Sequence, residues 1–171
     1  LVERGDRRKV LSVQVETATQ QEYVDFGKKD VKSLSGEQVK AALLESGLFG
    51  YFIQRPYAVV ANPDDVPKAI FVSAIQDMPL AADVEVQLKG NETDFQTGIS
   101  ALAKISKVYL GVKAGSAAAN VKDAEVTEFQ GKCPIGNVGV QINHTNPVNK
   151  GEVVWTIAVE EVIFIGRLFN T

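Results

Sequence analysis

Apolar residues recur along this chain in three patterns, and each predicts a different kind of element. The first is the unbroken run. Ala69-Ile70-Phe71-Val72-Ser73-Ala74-Ile75 lies between Pro67 and Pro79 and is followed at once by polar, turn-forming residues. Such a run predicts a strand buried on both faces, as in a parallel sheet covered by helices. Val108-Tyr109-Leu110-Gly111-Val112 reads the same way, and Val153 to Ile157 supplies a final strand. The second pattern is alternation, which predicts half-buried strands. It occurs at Lys9 to Glu16, where Leu11, Val13 and Val15 stand opposite Val10, Ser12, Gln14 and Glu16. It recurs at Val84, Val86 and Leu88, which alternate with Glu85 and Gln87, and at Ala124 to Phe129, an edge position. The third is helical spacing: Val39, Ala42, Leu43 and Ser46; then Phe95, Ile99, Leu102 and Ile105; then Glu160 to Phe169.

The polar punctuation agrees with these boundaries. Ser35-Gly36-Glu37-Gln38 is a capping box that opens a helix over 36–46, and Gly47 suits a left-handed stop. Gly5-Asp6 is a tight-turn signal, and Thr17 to Lys32 is a polar link. Gly90-Asn91 turns the chain into the second helix, with Asn91 as its N-cap and Glu92 and Asp94 at its positive end. Glu160 and Glu161 do the same for the last helix. Gly115 to Asn120 is a loop of small residues, and the stretch Cys133 to Gly139 precedes a short segment that reads equally as helix or strand. Alternating strands and helices predict the α/β class with a mainly parallel sheet. The strand at 84–88, the helix after it and the strand at 108–112 form one crossover, expected to be right-handed.

Composition narrows the function. A chain of 171 residues, 45% hydrophobic with 14 glycines, has room for one ordinary domain and part of another. The net charge of -3 argues against a general nucleic-acid binder. The basic cluster Arg4, Arg7, Arg8 and Lys9 is local, a solvated turn or a partner patch. One cysteine, Cys133, rules out an intramolecular disulfide and is too few for an iron–sulfur cluster. The single histidine, His144, has no second ligand at metal spacing. Apolar runs such as Val162 to Ile165 fall far short of the ~20 residues of a membrane-crossing helix. The opening is too charged for a signal peptide, so the Asn-X-Thr sequences at Asn91 and Asn143 read as coincidental. The chain begins at Leu1 and stops after an apolar helical run, so the expectation is a piece of a longer subunit.

Candidate chemistry is sparse. Gln76, Asp77 and Asp83 follow the central strand, where open α/β sheets hold their ligands, and where such residues also simply turn the chain. Arg55 offers a fork for an anion or carboxylate, or one half of a structural ion pair. There is no nucleophile–base set, no metal cluster, no phosphate-binding Gly-Lys-Ser/Thr loop and no dinucleotide glycine fingerprint.

Four stretches carry a family resemblance: Ser46-Gly47-Leu48 with Arg55-Pro56; Pro67 to Asp83; Gly151 to Ile157; and Ile165-Gly166-Arg167-Leu168-Phe169. In order and number they resemble the A-type subunit of the bacterial sodium-translocating NADH:quinone reductase over nearly the whole chain. The resemblance implies a Rossmann-like α/β domain over residues 33–171, related to the flavin domain of respiratory complex I. It also implies that residues 1–32 are a linker and the β segment of a preceding barrel-sandwich, lipoyl-like domain. In the complex I relative a glycine-rich loop follows Ser46-Gly47-Leu48 and lets bare backbone approach a flavin phosphate. This chain has Tyr51, Phe52, Ile53 and Gln54 there, which implies a filled-in flavin site. Some family members have histidines near Gln141 and Asn143; this chain does not, which argues against a metal or proton role there. The implied role is a cofactor-free subunit, with flavins and an iron–sulfur centre in partner subunits. At the cytoplasmic face of the bacterial inner membrane it would dock on a membrane-embedded subunit. Phe49, Tyr51 and Phe52 are either core or the receptor of a ubiquinone or menaquinone ring. Two other readings are a flavin- or NADH-binding catalytic domain, and an electron-transfer subunit of the related ferredoxin–NAD reductase complex.

Overall fold

The computed structural model describes residues 2–4 and 9–171. It is a mixed α/β fold with a mostly parallel sheet and, among the described residues, five α-helices. Strands β1 (Val2–Arg4) and β2 (Lys9–Ser12) pair antiparallel as a separate hairpin. The expected turn at Gly5-Asp6 lies outside the described residues, as do Arg7, Arg8 and the Lys9 side chain of the basic cluster. The expected strand at 9–16 is only half present. Regular structure ends at Ser12, and Leu11, Val13 and Val15 are as exposed as Val10. Nothing in the described chain covers that face, so alternation there marks no burial.

After the 3₁₀ turn at Val31–Ser33, helix α1 (Gly36–Glu45) begins with both halves of the capping box made. Ser35 Oγ accepts from the Gln38 amide at 3.2 Å, and the Ser35 amide donates to Gln38 Oε1 at 2.9 Å. Gly47 follows at φ +79°, the left-handed stop. Then come β3 (Ile53–Arg55), β4 (Val59–Val60), β5 (Ile70–Ala74), α2 (Val84–Leu88), α3 (Glu92–Ile105), β6 (Val108–Val112), β7 (Glu125–Glu128), α4 (Val138–Thr145), β8 (Val154–Ala158) and α5 (Val159–Asn170). The main sheet has the order β4-β3-β8-β5-β6-β7. β8, β5, β6 and β7 run parallel; β3 pairs antiparallel with both β8 and β4. β7 lies at the edge, as its alternation implies.

Side chains of the central strands divide between two cores. Ile70, Val72, Leu110, Trp155 and Ile157 join Val39, Leu43, Phe95, Ile99, Leu102, Val162 and Phe169 under α1, α3 and α5. Ala69, Phe71, Tyr109 and Val154 face the other way and meet Ile142 of α4. This double covering is why β5 and β6 carry unbroken apolar runs.

Two local readings are corrected. The segment 84–88 is a helix, not a strand. Val84 and Leu88 are buried one helical turn apart while Val86 points out, 72% exposed. Over five residues both periods fit, and the Asp83 carboxylate, accepting from the Glu85 amide at 2.9 Å, starts the helix. The crossover therefore leaves from β5 and reaches β6 through two helices. Asn91, expected to cap α3, makes no side-chain cap bond. Its side-chain amide donates to the Gln87 carbonyl at 2.8 Å, and its Oδ1 accepts from Arg167 at 2.6 Å. The short segment after Gly139, open between helix and strand in the sequence, is helical: it belongs to α4, which starts at Val138 and is capped by Asn137 on the Gly139 amide.

Candidate functional site

From β5 the chain moves outward to β6 and β7, then returns across the sheet to β8 on the other side of β5. The order of strands reverses between β5 and β8, and crevices at such reversals are the usual ligand sites of open α/β sheets. A crevice of about 390 Å³ lies there, at the carboxyl ends of both strands. Tyr51, Ile53, Gln76, Val138, Ile157 and Glu161 are among its walls.

The loops that frame it are held by a small polar network. Asp77 accepts from the Gly136 amide at 3.1 Å, and Ser73 Oγ donates to the Gly136 carbonyl at 3.1 Å. Gln141, buried on α4, donates to Ser73 Oγ at 2.8 Å and to the Ile135 carbonyl at 3.0 Å. The space for this glutamine is made by Gly111 on β6, where an added Cβ would lie 2.7 Å from the Gln141 amide carbon. A Cβ on Gly136 would likewise come within 2.8 Å of the Asp77 carboxylate carbon. Of these residues Ser73 and Gly136 line the crevice, and the others hold them in place.

The first turn of α5 forms one wall. Such a helix start attracts anions through its free amides. Here the Glu161 carboxylate already accepts from the Ala158 amide at 2.7 Å. Burial pushes the pKa of Glu161 above the ordinary carboxylate value; the Ala158 bond opposes that shift and neighbouring Glu160 adds to it.

The expected site residues part company. Tyr51, 43% exposed, lines the crevice together with Gln76. Phe49 and Phe52 are buried and pack on Trp155, with ring centroids 5.3 to 5.5 Å apart. They stabilise the core beneath the crevice and present no ring to it. Asp77 pins the loop before α4, and Asp83 caps α2. Arg55 is half-buried on the α4 side of the sheet, in a second cavity, and takes part in no ion pair or hydrogen bond through its side chain among the described residues. Sequence reasoning missed Glu161, Ser73 and Gln141 as builders of the crevice. Glu161 alone carried a signal, being the third residue of its helix, where a carboxylate reaches back to the cap amide.

Among the described residues no group of three or more His, Cys, Asp or Glu could hold a metal ion. No described helix is long and apolar enough to cross a membrane.

Residues 34–171 match the family model described as the NqrA second alpha/beta domain. Three relatives bear the name of the A-type subunit of a Na(+)-translocating NADH-quinone reductase. That of Actinobacillus pleuropneumoniae serotype 5b is 38% identical over 99% of this chain and 40% of its own length. The protein of Actinobacillus succinogenes is 39% identical, and that of Pseudomonas aeruginosa 34%, each over 99% of this chain and 39% of the relative. The chain thus spans about two-fifths of the length of these relatives. With its α/β architecture and a match over most of its length, the chain belongs to the NqrA family of Na(+)-translocating NADH-quinone reductase subunits.

Proposed function

We propose that this chain is the α/β domain of a structural subunit of a sodium-translocating NADH:quinone reductase and carries no flavin of its own. Its work is to dock on the other subunits of the complex, a membrane-embedded one among them, at the cytoplasmic face of the membrane. The whole complex moves electrons from NADH to quinone and exports sodium, in keeping with the names of the relatives. A Rossmann-like kinship with the flavin domain of complex I accords with the parallel sheet and its reversal between β5 and β8.

The observation that carries the reading is the state of the crevice. A flavin phosphate needs bare backbone and a free helix start. By the family resemblance Tyr51 stands in place of the relative's glycine loop, next to Gly50 in the crevice wall, and the Glu161 carboxylate sits on the Ala158 amide at the start of α5. A phosphate brought there would meet a carboxylate and an aromatic side chain. The remaining surface is largely apolar, from Ile53, Ile75, Val138 and Ile157, with Tyr51 and Gln76 as polar anchors. It suits a neutral ring, so any quinone contact made by this domain falls here, at Tyr51, while Phe49 and Phe52 only support it from below.

The test is a visible absorption spectrum of the purified protein, repeated after excess flavin mononucleotide and desalting. The expected protein is colourless and retains no flavin, and it oxidises no NADH above a flavin-free blank. A yellow protein would replace this reading with a catalytic one.

A further inference from the structure

The second cavity, of about 690 Å³, lies on the α4 face of the sheet, next to the crevice across residues 136–139 but sharing no lining residue with it. Its walls are Arg55 and Pro56 after β3, one side of α4, and Pro147 and Val148 beyond that helix. The described residues leave the Arg55 guanidinium without a carboxylate partner or a hydrogen-bond acceptor. The residue as a whole is half-buried. Among the described residues no Asp or Glu lines the cavity. The guanidinium lies beside the first turn of α4, where a Cβ on Gly139 would be 3.5 Å from one of its terminal nitrogens. Asn137, Asn143 and His144 add neutral or basic polar groups around it, and Val140, Ile142 and Val148 form an apolar wall.

From this we propose that the cavity binds a small organic carboxylate with an apolar body. The forked guanidinium matches a carboxylate through two parallel hydrogen bonds. The amides of Asn137 and Asn143 can donate to the same oxygens, and the apolar wall takes the rest of the molecule. One permanent positive charge, that of Arg55, is balanced by a monoanion, whereas a phosphate dianion would leave excess charge. The volume is that of an ordinary small-molecule site. This site is separate from the crevice, and its proposal does not depend on the flavin question.

The experiment is a titration of the full chain with benzoate, uncharged benzamide and a short peptide ending in phenylalanine with a free carboxylate, followed by backbone and His144 side-chain NMR shifts. Benzoate is expected to bind saturably and shift Gly139, Asn143 and His144, with benzamide about tenfold weaker or worse. Arg55→Leu should lose about tenfold or more, and Arg55→Lys should keep part of the affinity through its charge. Spectra of both variants away from the cavity show whether they are folded. Should Arg55→Leu fail to fold, Val148→Trp, which fills the cavity from its apolar side, is expected to abolish the benzoate shifts. The proposal is overturned if benzoate leaves these signals unmoved, if benzamide binds equally well, or if a folded variant keeps full affinity. Tighter binding of the peptide than of benzoate would assign the site to a polypeptide terminus and overturn the small-molecule ligand.

Discussion

Glu161 is the residue on which the chemistry of the crevice turns. Its burial raises its pKa, so the folded state holds the proton more tightly than the unfolded chain does. The contribution of this group to stability is therefore greatest below the ordinary carboxylate value and declines as the pH rises through that value towards the folded one. Gln at this position keeps an oxygen for the Ala158 amide but cannot ionise. As the pH rises above the ordinary carboxylate value, Glu161→Gln is expected to hold its melting temperature better than the parent, because it lacks the burial cost of the charge. Parallel thermal melts of the two proteins decide the matter. Identical pH dependence would mean that Glu161 is solvated in the fold. Asp77 and Gln141 teach a related lesson at this scale. Both are polar residues placed beside a crevice, and both are consumed by loop anchoring.

Among the elements, the tightest junction is that of α3 and α5. Gly98 on α3 and Gly166 on α5 both sit where the two backbones meet. A Cβ on Gly166 would overlap the Asp94 carbonyl oxygen, and one on Gly98 the Val162 carbonyl oxygen. Both glycines cost helix propensity, about 1 kcal/mol each relative to alanine, and the close approach is what keeps them there. Ala at 166 would raise propensity yet separate the helices. The expected net effect of Gly166→Ala is a loss of about 3 kcal/mol, read from the midpoint of denaturant unfolding. A neutral or stabilising result would show that the backbones can move apart freely. Helix α2 shows the opposite balance. Its alternating apolar residues suit a strand, and the Asp83 cap with the burial of Val84 and Leu88 decides for a helix. Five residues are too few for either period to show itself, so alternation misleads there, while α1, with its complete capping box, is legible.

At the scale of the whole molecule, stability is unevenly spread. The central strands β5, β6 and β8 are buried on both faces, whereas residues 13–25 are exposed and form no ladder. Hydrogen exchange is expected to be slowest at the amides of β5 and β6. Amides of residues 13–25 should exchange near the rate of an unstructured peptide. Protection throughout that stretch would mean that it pairs with something. Just beyond that stretch the Lys29 amide donates to the Phe169 carbonyl at 3.0 Å and ties the chain to α5.

The sequence by itself determined the α/β class, the doubly buried strands and most of the helix starts. By family resemblance it also implied that Tyr51, Phe52, Ile53 and Gln54 take the place of a glycine loop. These features depend on local periodicity and on caps made within a few residues, so they are written in contiguous stretches. Only the tertiary structure decided the strand order, and with it the reversal that joins Tyr51, Gln76 and Glu161 around one crevice. It alone sent Phe49 and Phe52 into the core and left Arg55 beside α4 without a carboxylate partner among the described residues. The physical reason is that these outcomes depend on contacts between residues far apart in the chain. The choice between core and cavity for an aromatic or a cation is made by what packs opposite it, and no local spacing records that partner.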